Sequence, residues 1–182
     1  MNSTNPNKDK RENTVLSYLG TFAVAIVLAL LIKTFIFSSN MVVGESMEPT
    51  LHQDDRLIAL ILPLRFSDPD RGDIVIIDAP DEEGKDYIKR VVGVPGDTVS
   101  IHDGVVFLND EPLDEDYTSS DYTEIYNASE WTLGENEFFV MGDNRLPGKS
   151  MDSRYFGPVE KAHVNGVVKL RFWPLSRAGI MN

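Results

Sequence analysis

From Val15 to Phe37 the chain carries a nearly unbroken apolar run, VLSYLGTFAVAIVLALLIKTFIF, with no acidic residue and a single basic one, Lys33, near its far end. At about 1.5 Å of rise per residue, roughly 20 such residues cover the ~30 Å of bilayer hydrocarbon, so the run predicts a membrane-spanning helix. Lys33 can snorkel toward the head groups. A cleavable leader would have a shorter apolar core and a pair of small residues spaced for a cut, and the exit Ile36-Phe37-Ser38-Ser39-Asn40 holds no such pair. The segment 15–37 therefore reads as a retained, single-pass anchor. Lys8, Lys10 and Arg11 just before it place the amino terminus in the cytoplasm by the positive-inside rule, and the polar residues 1–14 form a short cytoplasmic tail.

Past residue 40 the period changes from helical to alternating, with Gly, Pro and Asp between short runs. Strands are predicted over Arg56 to Leu62, Asp73 to Asp78, Tyr87 to Val94, Thr98 to His102, Val105 to Leu108, Glu137 to Met141 and Gly166 to Trp173. Asp103-Gly104 is a two-residue hairpin signal, and Pro95-Gly96-Asp97 is a second turn. The acidic, polar stretch from Asn109 to Ser129, broken by Pro112, reads as an inserted excursion. The fold expected is mainly β: an antiparallel, sheet or barrel-like domain over residues 41–182, held outside the cytoplasmic membrane by one amino-terminal helix.

With 182 residues in all, that outer domain is long enough to bury a core. The absence of cysteine excludes disulfides, thiol catalysis and thiolate metal sites. The formal charge is −12, and the first 40 residues hold four basic and two acidic side chains, which leaves −14 on the rest. Such a balance argues against nucleic acid as a partner and against docking on anionic lipid by charge, so contact with the bilayer should be apolar. His52, His102 and His163 are too scattered for a triad or a metal site, and Asp110 to Asp116 lacks the glycine of an EF-hand loop. Asn127-Ala128-Ser129 fits a glycosylation triplet, most of which carry nothing. No metal or cofactor is expected.

Three stretches can carry chemistry. Ser46 lies in a glycine-containing turn soon after the anchor, where Pro49 restricts the exit of the chain and a hydroxyl can be exposed. Taken alone it is compatible with an ordinary solvated serine. In Tyr87-Ile88-Lys89-Arg90-Val91-Val92, alternation sets Tyr87, Lys89 and Val91 on one face and Ile88, Arg90 and Val92 on the other. Burial would lower the Lys89 pKa and the acidic domain would raise it; a base near neutral pH needs a fall of ~2 to 3 units. A strand lysine with its head at the rim fits the residues as well. Met141-Gly142-Asp143-Asn144-Arg145 and Ser150-Met151-Asp152-Ser153-Arg154 hold acids and arginines that can cross-pair and stiffen a loop.

Together, Ser46-Met47-x-Pro49-Thr50-Leu51, Arg71-Gly72-Asp73-Ile74-Val75, Tyr87 to Asp97 and Gly142 to Arg145 with Ser150 to Arg154 resemble bacterial type I signal peptidase, in its shorter, Gram-positive-like form. The resemblance implies a membrane-bound serine endopeptidase that removes signal peptides from exported preproteins at Ala-x-Ala sites. It makes Ser46 the nucleophile and Lys89 the general base. Ser150 then hydrogen-bonds and orients the lysine, and Asp152, Arg154, Asp143 and Arg145 support the dyad. Val42, Val43, Met47, Leu51, Tyr87 and Ile88 then line the substrate cleft. Preproteins and the lipid bilayer are the implied partners, with the secretion translocon as a further contact.

Two departures stand out. Gly44 occupies a position where some relatives have an oxyanion-binding serine, which leaves the role to the Ser46 N–H together with local water or other amides. Four residues separate Arg145 from Ser150 where the family usually has two. The alternatives are a self-cleaving Ser-Lys peptidase of the repressor type and a tethered β-rich binding module in which Ser46 and Lys89 are ordinary residues.

Overall fold

A computed structural model of the chain describes residues 18–30 and 36–181. The chain divides into two compact units, Met1–Phe37 and Ser38–Asn182. In the first, residues 18–30 form a helix (α1) whose large apolar side chains, Leu19, Phe22, Val24 and Leu30 among them, are exposed. The tail expected over 1–14 lies outside the described residues, as does part of the anchor expected over 15–37. Among the described residues no helix is long and apolar enough to cross a membrane.

The second unit is built from antiparallel strands in two sheets. The larger follows the order β1 (Phe37–Met41), β2 (Arg56–Leu60), β11 (Val164–Trp173), β3 (Ile74–Asp78), β4 (Asp86–Gly93), β9 (Glu137–Met141) and β10 (Val159–Glu160), with β12 (Gly179–Ile180) also paired to β11. The smaller runs β7 (Glu111–Pro112), β6 (Val105–Leu108), β5 (Thr98–His102), β8 (Glu130–Thr132). The larger order is an open path. The barrel-like closure expected from the sequence is therefore not made by strand pairing among the described residues.

Each long strand expected is present within about two residues of its bounds, the usual scatter of strand ends. Asp103 and Gly104 both have positive φ, as a type I′ hairpin requires, and the turn sets His102 opposite Val105. β3 reads Ile-Val-Ile-Ile-Asp because it is central, flanked by β11 and β4 and buried on both faces. Sequence periodicity misses β7, β8, β10 and β12, which have two or three residues each, and β1, whose Phe37 closes the apolar run assigned to the anchor.

The strand pattern sorts the core into three clusters. Val42, Met47 and Leu51 join Leu57, Ala59, Ile74, Ile76 and Val168, so the irregular segment between β1 and β2 is pinned to the sheet by its own apolar residues. Fully burying a side chain of this size contributes about 1.5–3 kcal/mol. Val75, Ile77, Val91, Phe138 and Val140 form a second cluster, with Tyr87 packed against it, while Ile88 packs on the first. That division agrees with the alternation read along β4. Val92, Val99, Ile101, Leu133, Phe139 and Met141 form the third cluster and join residues of the two sheets.

Candidate functional site

Ser46 and Lys89, 43 positions apart in the chain, meet. β4 carries Lys89 opposite Val75 of β3, where the side chain is 2 % exposed, and its Nζ lies 2.9 Å from Ser46 Oγ and 3.0 Å from the carbonyl oxygen of Ile88. Burial lowers the Lys89 pKa to about 8; the carboxylates of Asp152 and Asp143 oppose the fall, the nearby Arg154 assists it and Asp81 opposes it weakly. As a neutral amine the group can donate to Ile88 and accept the Ser46 proton on its lone pair. The ring of Tyr87 has its centroid 5.0 Å from Nζ, so an apolar face covers the amine on its own strand.

Ser46 sits in an irregular segment, and three sets of bonds hold it. Arg171 of β11 donates to the Thr50 carbonyl at 2.8 Å, and the wholly buried Asp55 accepts from His52 N–H and from Arg177. The Asn144 N–H donates to the Ser46 carbonyl at 3.0 Å, and Asn144 Nδ2 donates to the Glu45 carbonyl at 2.9 Å. Gly142 makes this approach possible, since a Cβ there would collide with the Ser46 carbonyl oxygen and with Ser150. Gly44 has φ +95°, a backbone shape that suits glycine and disfavours serine. Its N–H is taken up by Gln53 Oε1 at 2.7 Å, whereas the Ser46 N–H has no acceptor among the described residues.

The supporting residues are placed differently from a set of mutual crosspairs. Asp152 and Arg154 form a buried bidentate pair, both bonds at 2.8 Å, and Asp152 caps the short helix α2 (Ser153–Phe156) through Arg154 N–H. Burial would raise the Asp152 carboxyl, yet Arg154, the Ser150 hydroxyl and the Gly142 N–H hold it below the usual carboxylate range. Asp143 instead grips Arg90 of β4, at 2.9 and 2.7 Å, and Arg145 reaches Glu115 and Thr123 in the 109–129 excursion. Ser150 gives its hydroxyl hydrogen to Asp152 Oδ2 at 2.7 Å, and among the described residues it makes no hydrogen bond to Lys89.

A groove of about 580 Å³ opens beside the pair, lined by residues 40–47, Ile76, residues 85–89, Lys149 and Met151. Val42, Val43, Met47, Tyr87 and Ile88 lie along it. Leu51 does not: it is wholly buried in the first core cluster, because the chain has turned inward by that point. Lys149, in the longer link between Arg145 and Ser150, bridges to Glu45 at 2.6 Å on the groove's rim.

Arg90, Glu115 and Asn144 carry much of this arrangement and were not singled out from the sequence. Asn144 stood within a quoted motif, but nothing in spacing says that an amide will bridge two carbonyls. Arg90 had one legible signal, a charge on a strand face that otherwise reads Ile88 and Val92.

Comparison with known proteins adds to the geometry. The family model described as signal peptidase, peptidase S26, matches residues 15–173. A probable signal peptidase I-2 from a Synechocystis species is 37% identical over 93% of this chain and 78% of its own length. Signal peptidase I of Bacillus licheniformis is 36% identical over 95% of this chain and 96% of its own. A crystal structure of a signal peptidase I from Enterococcus faecalis V583 is 35% identical and covers 56% of this chain and 97% of that one, with a TM-score of 0.47.

Proposed function

Because the chain belongs to the signal peptidase family, peptidase S26, we propose that it is a membrane-anchored serine endopeptidase that removes signal peptides from exported preproteins, with Ser46 as nucleophile and Lys89 as general base. The observation that carries this reading is the 2.9 Å contact between Ser46 Oγ and a buried Lys89 Nζ at the wall of an apolar groove. In the reaction Ser46 Oγ attacks the carbonyl carbon at the end of the signal peptide while its proton passes to Lys89. The Ser46 N–H donates to the oxyanion, a role worth about 3 kcal/mol for one donor. Lys89 then returns the proton to the leaving amine of the mature protein. In the second half Lys89 takes a proton from water as that water attacks the acyl carbon, and returns it to Ser46 Oγ as the acyl bond breaks, which releases the signal peptide's new carboxyl end and regenerates both groups.

Ser150, Asp152, Arg154, Asp143 and Arg145 keep the loop beside the dyad rigid and leave the chemistry to Ser46 and Lys89. Val42, Val43, Met47, Tyr87 and Ile88 bound the pockets that accept small side chains at the −1 and −3 positions of an Ala-x-Ala site. Residues 15–37 anchor the chain, residues 1–14 face the cytoplasm, and residues 41–182 work outside the cytoplasmic membrane. Exposure of Leu19, Phe22, Ile26 and Leu30 on α1 supports this, since a helix apolar on all sides belongs in lipid. Met41, Trp173 and Ile180 are also exposed, on β1, β11 and β12 of the larger sheet, which suits apolar contact with the bilayer surface. An anchor shared with the substrate's own apolar segment raises their effective concentration, and contact with the secretion translocon would do the same.

The test uses the purified full chain in detergent and a preprotein with an Ala-x-Ala site. Cleavage at that site is expected, with loss in Ser46→Ala, in Lys89→Met and in Lys89→Arg, whose guanidinium stays charged. Full activity in any of the three would remove the dyad.

A further inference from the structure

We infer that Ser119 and Asn144 form a relay that positions Ser46 against Lys89, an inference that rests on the peptidase reading above and extends it to two residues outside the dyad. Lys89 is fixed by a central strand, but Ser46 belongs to a segment without regular structure, so their separation depends on what grips the segment's backbone. Asn144 holds it at two consecutive carbonyls: Nδ2 donates to Glu45 at 2.9 Å and the main-chain N–H donates to Ser46 at 3.0 Å.

The orientation of that amide is in turn dictated. Its Oδ1 accepts from Ser119 Oγ at 3.0 Å and from the Leu146 N–H at 3.3 Å; flipped, the amide would set oxygen against the Glu45 carbonyl and nitrogen against an N–H. Ser119 Oγ already accepts from the Arg145 N–H at 3.0 Å, so its single proton is directed to Asn144. The Ser119 N–H donates to the Asp143 carbonyl at 3.0 Å and ties the excursion to the same loop. A continuous series of hydrogen bonds thus runs from Arg145 N–H through Ser119 and the Asn144 amide to the residue preceding the nucleophile. Misplacing a reacting group by about 1 Å can cost about 100-fold in rate, so a grip of this kind matters more to turnover than to stability.

Steady-state kinetics of the full chain in detergent with an Ala-x-Ala preprotein test the relay. Asn144→Leu should lower kcat by about 100-fold and Ser119→Ala by about 10-fold, with KM within about threefold of the parent. Ser119→Thr, which keeps the hydroxyl, should restore most of the rate. In the double variant Ser119→Ala should add nothing to Asn144→Leu, because both act through one amide. Wild-type kcat in both single variants, an additive double variant, or Ser119→Thr as slow as Ser119→Ala would overturn the relay. Inability of the unaltered chain to cut the preprotein would instead remove the peptidase reading. The relay would then be decided by crystal structures of Ser119→Ala and Asn144→Leu: a Ser46 Oγ to Lys89 Nζ separation still at 2.9 Å refutes it, and one beyond hydrogen-bond reach supports it.

Discussion

Replacing Lys89 by methionine should make the folded protein more stable below pH 8 and, on the proposed mechanism, abolish activity. Burial brings the Lys89 pKa from 10.5 in the unfolded chain to about 8 in the fold, against the pull of Asp152 and Asp143. At about 1.4 kcal/mol per unit, the fold then carries an ammonium at a cost of about 3 kcal/mol. Between pH 8 and 10.5 the unfolded state binds more protons than the folded one, so stability rises with pH across that window. The penalty is complete below pH 8, where both states are charged, and absent above 10.5, where both are neutral. Methionine removes it but leaves Ser46 Oγ and the Ile88 carbonyl without the amine, at about 1 kcal/mol or less each. The net gain is about 1–2 kcal/mol at pH 6 and should vanish near pH 10. Denaturant unfolding of the full chain in micelles at pH 6, 8 and 10 measures it, with Ser46→Ala as the control that keeps the lysine. A Lys89→Met protein less stable than the parent at pH 6, or a difference that ignores pH, would show that the buried amine is not strained toward neutrality.

The same titration predicts that the cleavage rate climbs with pH through an apparent pKa near 8, since about one lysine in ten is neutral at pH 7 against about one in three thousand unperturbed; an ascending limb near 10 would contradict it. Gly142→Ala should reduce kcat by at least about 100-fold in a chain that still folds, because the added methyl must displace the Ser46 carbonyl or Ser150, and near-normal turnover would contradict the close approach. Leu51→Ala should cost about 2–5 kcal/mol of stability and leave KM nearly unchanged, which denaturation and kinetics together can separate from a role in the groove. Lys149→Ala breaks an exposed ion pair with Glu45 and should change kcat/KM by less than about fivefold, and a larger loss would mean that the bridge itself contacts substrate.

The strands of this domain were legible because their signals are local: alternation along Thr98 to His102, the Asp103-Gly104 turn, the continuous apolar run of β3. Ser46 and Lys89 were legible only through resemblance, since a loop serine and a strand lysine have bland explanations until they are brought within 2.9 Å. Ion-pair partners were legible least. Asp143 and Arg145 are two positions apart and look like mates, yet each bonds a residue about 30 or more positions away, Arg90 and Glu115. A sequence gives the valence of a charged side chain and leaves its partner to be fixed by the topology, here the adjacency of β4 and β9 and the return of the 109–129 excursion over the loop between β9 and α2.

That division explains why residues 109–129 read only as an inserted excursion. Its sequence is polar, acidic and nearly free of periodicity, so it has little core of its own to offer. What it contributes is complementarity: Glu115 neutralises the buried Arg145, Tyr117 lies 4.1 Å from the Arg90 guanidinium, and Ser119 directs the Asn144 amide. Removing one partner of a buried pair costs about 3–5 kcal/mol, because the other charge is left in a low dielectric. Glu115→Gln should therefore destabilise the chain while an exposed acid of the same excursion, Asp121, can be changed to Asn with little effect on unfolding. If the two substitutions proved equally mild, the excursion would be a surface ornament, and the positioning of Ser46 would have to come from the core cluster of Val42, Met47 and Leu51 and from the bonds of Arg171, Asp55 and Asn144.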